Sequence, residues 1–363
     1  MPSTPATPSL RARTLLSVTK KQLIVTGGAG FFGRNLIAAL NERGEENILI
    51  VDRLGNADKW RNLLGLRFDD LMDVAEFRRR VREDRAIAPS TLFHLGAIEL
   101  PTHENHDALI ENNYRASREF CEWCLKHGGR FIHASSASTY GDGSNGYFDN
   151  EDLLPGLRPL DAHAYSKHLF DLWVARSGSL AKIAAIKPFS VYGPHETHKA
   201  GGASLVLKLV QQIQATGEAV LYKSHRDDIA DGEQARDFIH VRDVVALLIF
   251  LFDHPEACGL FNCGTEKART FNEVAALVFR ALDVYPKIHY IDMPGEVRDG
   301  FQYFTQAEMS RARGIGFTDE LLTLEEGVAD YVSGFLRQQD QESDGLEDRG
   351  ADLSALPAPS SDT

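Results

Sequence analysis

Gly27, Gly30 and Gly33, followed at a distance by Asp52, have the types and spacing needed to hold a dinucleotide. In Gly27-Gly-Ala-Gly30-Phe-Phe-Gly33 the first glycine permits a tight turn. The second lets backbone approach a pyrophosphate, and the third lets a helix pack closely on a strand. The helix that follows would offer free N–H groups and its positive dipole end to phosphate. Asp52 lies 19 residues past Gly33, where a carboxylate commonly accepts from a ribose hydroxyl. Arg53, next to it, is the kind of group that accommodates a 2′-phosphate, so NAD and NADP are both open.

These residues need a βαβ unit to place them. Gln22-Leu-Ile-Val-Thr26 is apolar and β-branched and reads as a buried strand running straight into the turn. Asn35, Leu36, Ile37, Leu40 and Asn41 carry a helical pattern to a stop at Gly44, and Asn47-Ile-Leu-Ile-Val51 is a second strand ending at Asp52. Strand, turn, helix, strand and acid fall in order, which a lone glycine-rich loop would not provide.

The 363 residues suffice for one large α/β domain or two smaller ones, and 43% hydrophobic with 25% charged residues is ordinary for a globular chain. A net charge of −13 argues against nucleic acid or an anionic membrane as partner. No run of about 18 apolar residues would span a bilayer. Cys121, Cys124, Cys258 and Cys263 are too few for a disulfide scaffold; Cys121-Glu-Trp-Cys124 falls on a helix pattern without a second ligand pair and reads as core, so no metal is expected. Residues 1–21 are Ser/Thr/Pro-rich and basic without an acid, faintly like a transit peptide but expected as a disordered extension. Residues 338–363 are expected as a disordered acidic tail.

Further strands are expected at Thr91–Leu95, Gly129–Ala134, Ala181–Ile186 and Gly259–Gly264, with helices at Val74–Val81, Arg115–Lys126, Ala162–Ala175 and Val244–Phe252. Asn112-Asn113-Tyr114 would open the Arg115 helix, Gly96-Ala97 would let backbone pass a cofactor, and Asp237–Val241 would return to the sheet. Such alternation gives a Rossmann-type doubly wound parallel sheet with ligands at the strands' carboxyl ends. The expected organisation is a dinucleotide-binding domain over 22–191 and 237–264, with a smaller α/β substrate lobe over 192–236 and 265–337.

Thr26-Gly-Gly-Ala-Gly-Phe-Phe-Gly33, Ser135-Ser-Ala-Ser-Thr-Tyr-Gly141, Tyr165-Ser-Lys167, Val191-Tyr-Gly-Pro194, Arg236-Asp-Phe-Ile-His-Val241 and Phe261-Asn-Cys-Gly-Thr265 resemble the extended short-chain dehydrogenase/reductase family of NAD-dependent epimerases and dehydratases. The resemblance covers about residues 22–336. Within the family it is strongest to the branch that epimerises ADP-heptose at C6. That similarity rests on Phe93-His94 with Gly96-Ala97, Asn112-Asn113-Tyr114, Gly193-Pro-His-Glu-Thr-His-Lys199 and Phe301-Gln-Tyr-Phe-Thr-Gln306.

What the resemblance implies is a cytoplasmic, homo-oligomeric isomerase acting on a nucleotide sugar with tightly bound NADP, or NAD. The sugar carbon would be oxidised transiently and reduced from its opposite face. Ser136 would hydrogen-bond the reacting oxygen, Lys167 would bind the nicotinamide ribose, and Lys199 would be the second acid/base. Phe31, Phe32, Asp52, Arg53, Lys59, Asn112 and Val191 fall on cofactor-contact positions, and Ser190, Gly201, Lys208, Arg236 and Phe301 on substrate positions. The Arg236 guanidinium fork matches phosphate oxygens.

The family's base is a tyrosine four residues before the lysine, and here that position is His163. At about 100° per residue, 163 and 167 share a helix face while Tyr165 points elsewhere. Imidazole, with an ordinary pKa of about 6.5 against about 10 for a phenol, can accept a proton at neutral pH. Ser190 and Phe301 replace an asparagine and a tyrosine of the epimerase branch, and Arg226–Gln234 is an insertion beside Arg236. Three functions therefore stand: the heptose epimerase; a related oxidase, 4-epimerase or dehydratase, the last disfavoured by Ala137 where an acid is usual; and a non-catalytic NAD(P)-binding regulator.

Overall fold

The computed structural model describes residues 22–55, 58–98 and 105–336. Both expected terminal extensions, 1–21 and 338–363, lie outside them. The strands in chain order are β1 (Gln22–Thr26), β2 (Ile48–Val51), β3 (Asp70–Met72), β4 (Pro89–His94), β5 (Arg130–Ala134), β6 (Ile183–Pro188), β7 (Ser190–Tyr192), β8 (Ala219–Tyr222), β9 (Ala235–His240), β10 (Gly259–Cys263), β11 (Ala268–Thr270) and β12 (Ile288–Ile291).

Seven of them form one sheet in the order β10-β6-β5-β4-β1-β2-β3, every neighbouring pair parallel. Ile48-Leu-Ile-Val51 is buried at every residue, as expected of a parallel strand covered on both faces. Helices Phe31–Glu42 and Val241–Asp253 pack on one another over one face, and Val74–Arg82, Ala116–Lys126 and Ala162–Arg176 cover the other. Chain order reverses between β1 and β4, whose C-terminal residues Thr26 and His94 are register partners. A crevice for ligand opens beyond a sheet's carboxyl ends at such a switch point.

Three details differ from expectation. Of the segment expected to rejoin the main sheet, Asp237–Val241, the first four residues instead belong to β9, which lies between β7 and β11 in a separate three-stranded sheet, and Val241 starts the following helix. Residues 112–114 do not open a helix: His106–Leu109, a π-helical stretch Ile110–Arg115 and Ala116–Lys126 run on continuously. The buried Asn113 amide in that stretch is held by Ile98 and Ser166, ties only the tertiary structure provides. Finally, Ala307, Met309, Ala312 and Phe317, from the stretch assigned to the small lobe, pack in the main core.

A second core, built from Val206, Leu209, Val210, Leu221, Val274, Val278 and Tyr331, underlies β8 and β12 and the helices Leu205–Thr216 and Phe271–Leu282. Cys121 and Cys124 are buried, and desolvation pushes the Cys124 thiol up to about 12, so neither is a reactive thiolate at neutral pH. Among the described residues no group of His, Cys, Asp and Glu is placed to hold a metal, and no helix is long and apolar enough to cross a membrane.

Candidate functional site

The glycine-rich turn is forced by its neighbours. Gly27 has φ +72°, and a Cβ there would stand 2.6 Å from Gly96 Cα on the adjacent strand's exit. A Cβ on Gly33 would strike the Gly27 carbonyl and lie 2.5 Å from Gly28 Cα. Helix Phe31–Glu42 starts at Gly30 with no side-chain cap and no acid in its first turn. Its first N–H groups are thus not pre-empted by a side chain, and a pyrophosphate fits there.

Asp52, just past the end of β2, is buried. Its Oδ2 accepts from Ala29 N at 2.9 Å, and its Oδ1 accepts from Arg53 N at 2.7 Å and Lys59 Nζ at 2.5 Å. These residues fit a dinucleotide: the glycine backbone would take the pyrophosphate, and Asp52 and Lys59 would meet the adenosine ribose. Arg53 is exposed beside them.

On the far wall, helix Ala162–Arg176 begins at an Asp161 cap whose carboxylate accepts from Ala164 N at 2.7 Å. Lys167, buried, donates to Ala134 O at 2.7 Å, which anchors its ammonium at the end of β5. Ser166 Oγ donates to His163 O at 2.7 Å and accepts from Asn113 Nδ2 at 3.0 Å, fixing the first helical turn to the neighbouring helix. Ser136 begins the turn after β5, its Oγ bonded to Ser138 Oγ at 2.7 Å and accepting from Ser138 N at 3.1 Å.

Behind Lys167 the buried His94 ring bridges Thr26 Oγ1 and Ser117 Oγ at 2.7 Å each. Burial, aided by the Lys167 charge, holds His94 down at about 3. Lys199 lies in the turn Thr197–Gly202 with its ammonium 5.3 Å from the Phe31 ring centre. His198 beside it is depressed by burial and then by Lys59 and Lys199.

Three recesses gather the sequence candidates. A cleft of about 420 Å³ is lined by Gly27, Gly30, Phe31, Phe32, Gly33, Asp52, Lys59, Gly96, Ala97, Ser136, His163, Lys167, Val191 and Lys199, fourteen candidates on one surface. Arg53 and Asn112 instead line an adjoining recess of about 540 Å³, with Arg78, Arg79 and Arg82 of the helix Val74–Arg82. Ser190, Lys208, Arg236 and Phe301 line a third, of about 500 Å³, which shares Val191 with the first. Gly201 falls in the Thr197–Gly202 turn.

In the third recess Arg236 stands between the rings of Phe301 and Phe271, 5.1 and 5.9 Å away, and donates to Gln302 O. Desolvation lowers it to about 10, so it is still a cation at neutral pH. Residue-by-residue reading missed Asn62, Phe189 and the arginines of Val74–Arg82. The arginines carry no motif of their own, and only the packing of that helix against Ala116–Lys126 brings them to the recess.

The NAD dependent epimerase/dehydratase family matches residues 23–264. Over 318 residues the chain is 45% identical to ADP-L-glycero-D-manno-heptose-6-epimerase of Nitratidesulfovibrio vulgaris Hildenborough, covering 87% of this chain and 98% of that protein. Among solved structures it is similar to Helicobacter pylori ADP-L-glycero-D-manno-heptose-6-epimerase, with TM-score 0.72 and 25% identity over 86% of this chain and 94% of the other. It is also similar to MoeE5 in complex with UDP-glucose and NAD, with TM-score 0.69 and 26% identity over 88% and 99%. With its glycine turn, buried acid and parallel sheet, and with two thirds of its length matched, the chain belongs to the NAD dependent epimerase/dehydratase family.

Proposed function

We propose that the protein is an ADP-glycero-manno-heptose 6-epimerase working with bound NADP. The observation that carries this reading is the convergence of Ser136, His163, Lys167 and Lys199 on the wall of the dinucleotide cleft. The 45% identity to a heptose epimerase along nearly all of that relative's length supports the sugar.

Bound nicotinamide would supply the reversible two-electron exchange at the sugar's C6. The chain's own residues do the rest. Lys167, anchored at Ala134 O, holds the ribose; Ser136 Oγ hydrogen-bonds the reacting oxygen; His163 takes the hydroxyl proton; Lys199 is the second proton-transfer group. Each positioned proton-transfer group is typically worth about 10²–10⁴-fold in rate. Arg236, an enclosed cation one recess away, takes the diphosphate. NADP is preferred because Lys59 neutralises Asp52 and Arg53 stands free of the core beside it, so a 2′-phosphate meets cations rather than a bare carboxylate.

The test is incubation with ADP-D-glycero-D-manno-heptose, following the C6 configuration by NMR. Conversion to the L-glycero epimer is expected. Unchanged C6 in protein that binds NADP would overturn the reading.

A further inference from the structure

The segment that carries Lys199 is tied to the glycine-rich turn by one buried side chain. The Asn62 amide nitrogen lies 3.0 Å from Ala29 O, 3.4 Å from His195 O and 3.1 Å from His198 Nδ1. Turning that amide over would set its oxygen against two carbonyls, so nitrogen faces them and can only donate. His198 Nδ1 therefore accepts, and the ring's proton sits on Nε2. Asn62 itself is 7% exposed and does not line the dinucleotide cleft, whereas His198 and Lys199 do.

Two further ties bracket the segment. Asn35 Nδ2 donates to Pro194 O at 3.0 Å and to Phe31 O at 2.9 Å, joining the same loop to the first turn of the dinucleotide helix. The fully buried Glu196 accepts from Ser204 N at 2.7 Å, Ser204 Oγ at 2.6 Å and Gly193 N at 3.3 Å, which closes the loop on itself. Ala29 is the residue whose N–H is held by Asp52, so one short path runs from the ribose acid through Ala29 and Asn62 to His198 and Lys199.

We propose that Asn62 and His198 are a positioning pair that couples the seat of the dinucleotide to the placement of Lys199. The proposal rests on Lys199 acting at the cofactor, as in the reading above. Neither residue need touch the sugar; their effect passes through Lys199.

The test is a double-mutant cycle on NADP⁺ affinity, measured by calorimetry on the full chain without any sugar. Asn62→Leu weakens binding about tenfold in the otherwise native chain, the size of one lost buried hydrogen bond, and by less than about twofold in the Lys199→Met background. His198→Phe behaves as Asn62→Leu does. His198→Asn, whose side-chain oxygen can take the Asn62 N–H, recovers most of that loss. Equal fold losses in both backgrounds overturn the proposal, as does His198→Asn binding no better than His198→Phe. If Asn62→Leu does not fold, the two His198 variants decide alone. No measurable NADP⁺ binding overturns this proposal and the epimerase reading together, whereas coupling in a protein that leaves C6 unchanged sinks only the epimerase reading.

Discussion

His163 and Lys167 line the same cleft from successive turns of one helix, while Tyr165 between them is 49% exposed. The phenol nearest to the family's tyrosine position is therefore not part of the cleft wall. On the proposed mechanism the His163 imidazole, which lines the cleft, takes that role.

Removing the Arg236 cation should act on substrate affinity. Its charge, kept between two aromatic rings, faces the recess beyond Val191. Arg236→Met should raise KM for the nucleotide sugar by about 10–100-fold with a smaller change in kcat, the value of charged hydrogen bonds to phosphate. Steady-state kinetics check this; an unchanged KM removes Arg236 from the substrate site.

Cofactor choice should depend on Arg53. Arg53→Ala should weaken NADP⁺ by about tenfold and NAD⁺ by less than about twofold, since only the former has a phosphate to lose a charged partner. Titration of both nucleotides checks it, and an equal loss for both would contradict the assignment.

Stability should fall on mild acidification. His94 is held at about 3 and His195 and His240 at about 4, in each case chiefly by burial. Each is neutral in the fold and charges on unfolding once pH is below about 6.5, so the unfolded chain binds more protons. Their contribution is complete above about 6.5 and is lost as pH falls toward their folded values, at about 1.4 kcal/mol per pH unit for each. The thermal midpoint should therefore drop between pH 7 and 5, and His94→Asn should flatten the slope. A midpoint that rises over that range contradicts the assignment.

Much of this site could be read from local chemistry. Gly27, Gly33 and Asp52 follow from a turn that only glycine fits and from an acid at a fixed distance along one βαβ unit, so neighbouring residues carry the signal. His163 and Lys167 follow from helical geometry, and the exposure of Tyr165 agrees with it. What could not be read was set by distant partners. Ala235–His240 reads as a short strand like any other, and only its pairing with Ser190–Tyr192 and Ala268–Thr270 takes it out of the main sheet. Asn62 looked like one polar residue in a short connection until Ala29 and His198 met it from 33 and 136 residues away.

The central claim is that the His163 imidazole accepts the proton the missing phenol would have taken. The most direct measurement is kcat for C6 epimerisation by His163→Ala, with NADP⁺ affinity determined on the same sample. The account predicts a loss of about 10²-fold or more, affinity retained, and partial recovery with added imidazole. A variant that turns over at the native rate would contradict it.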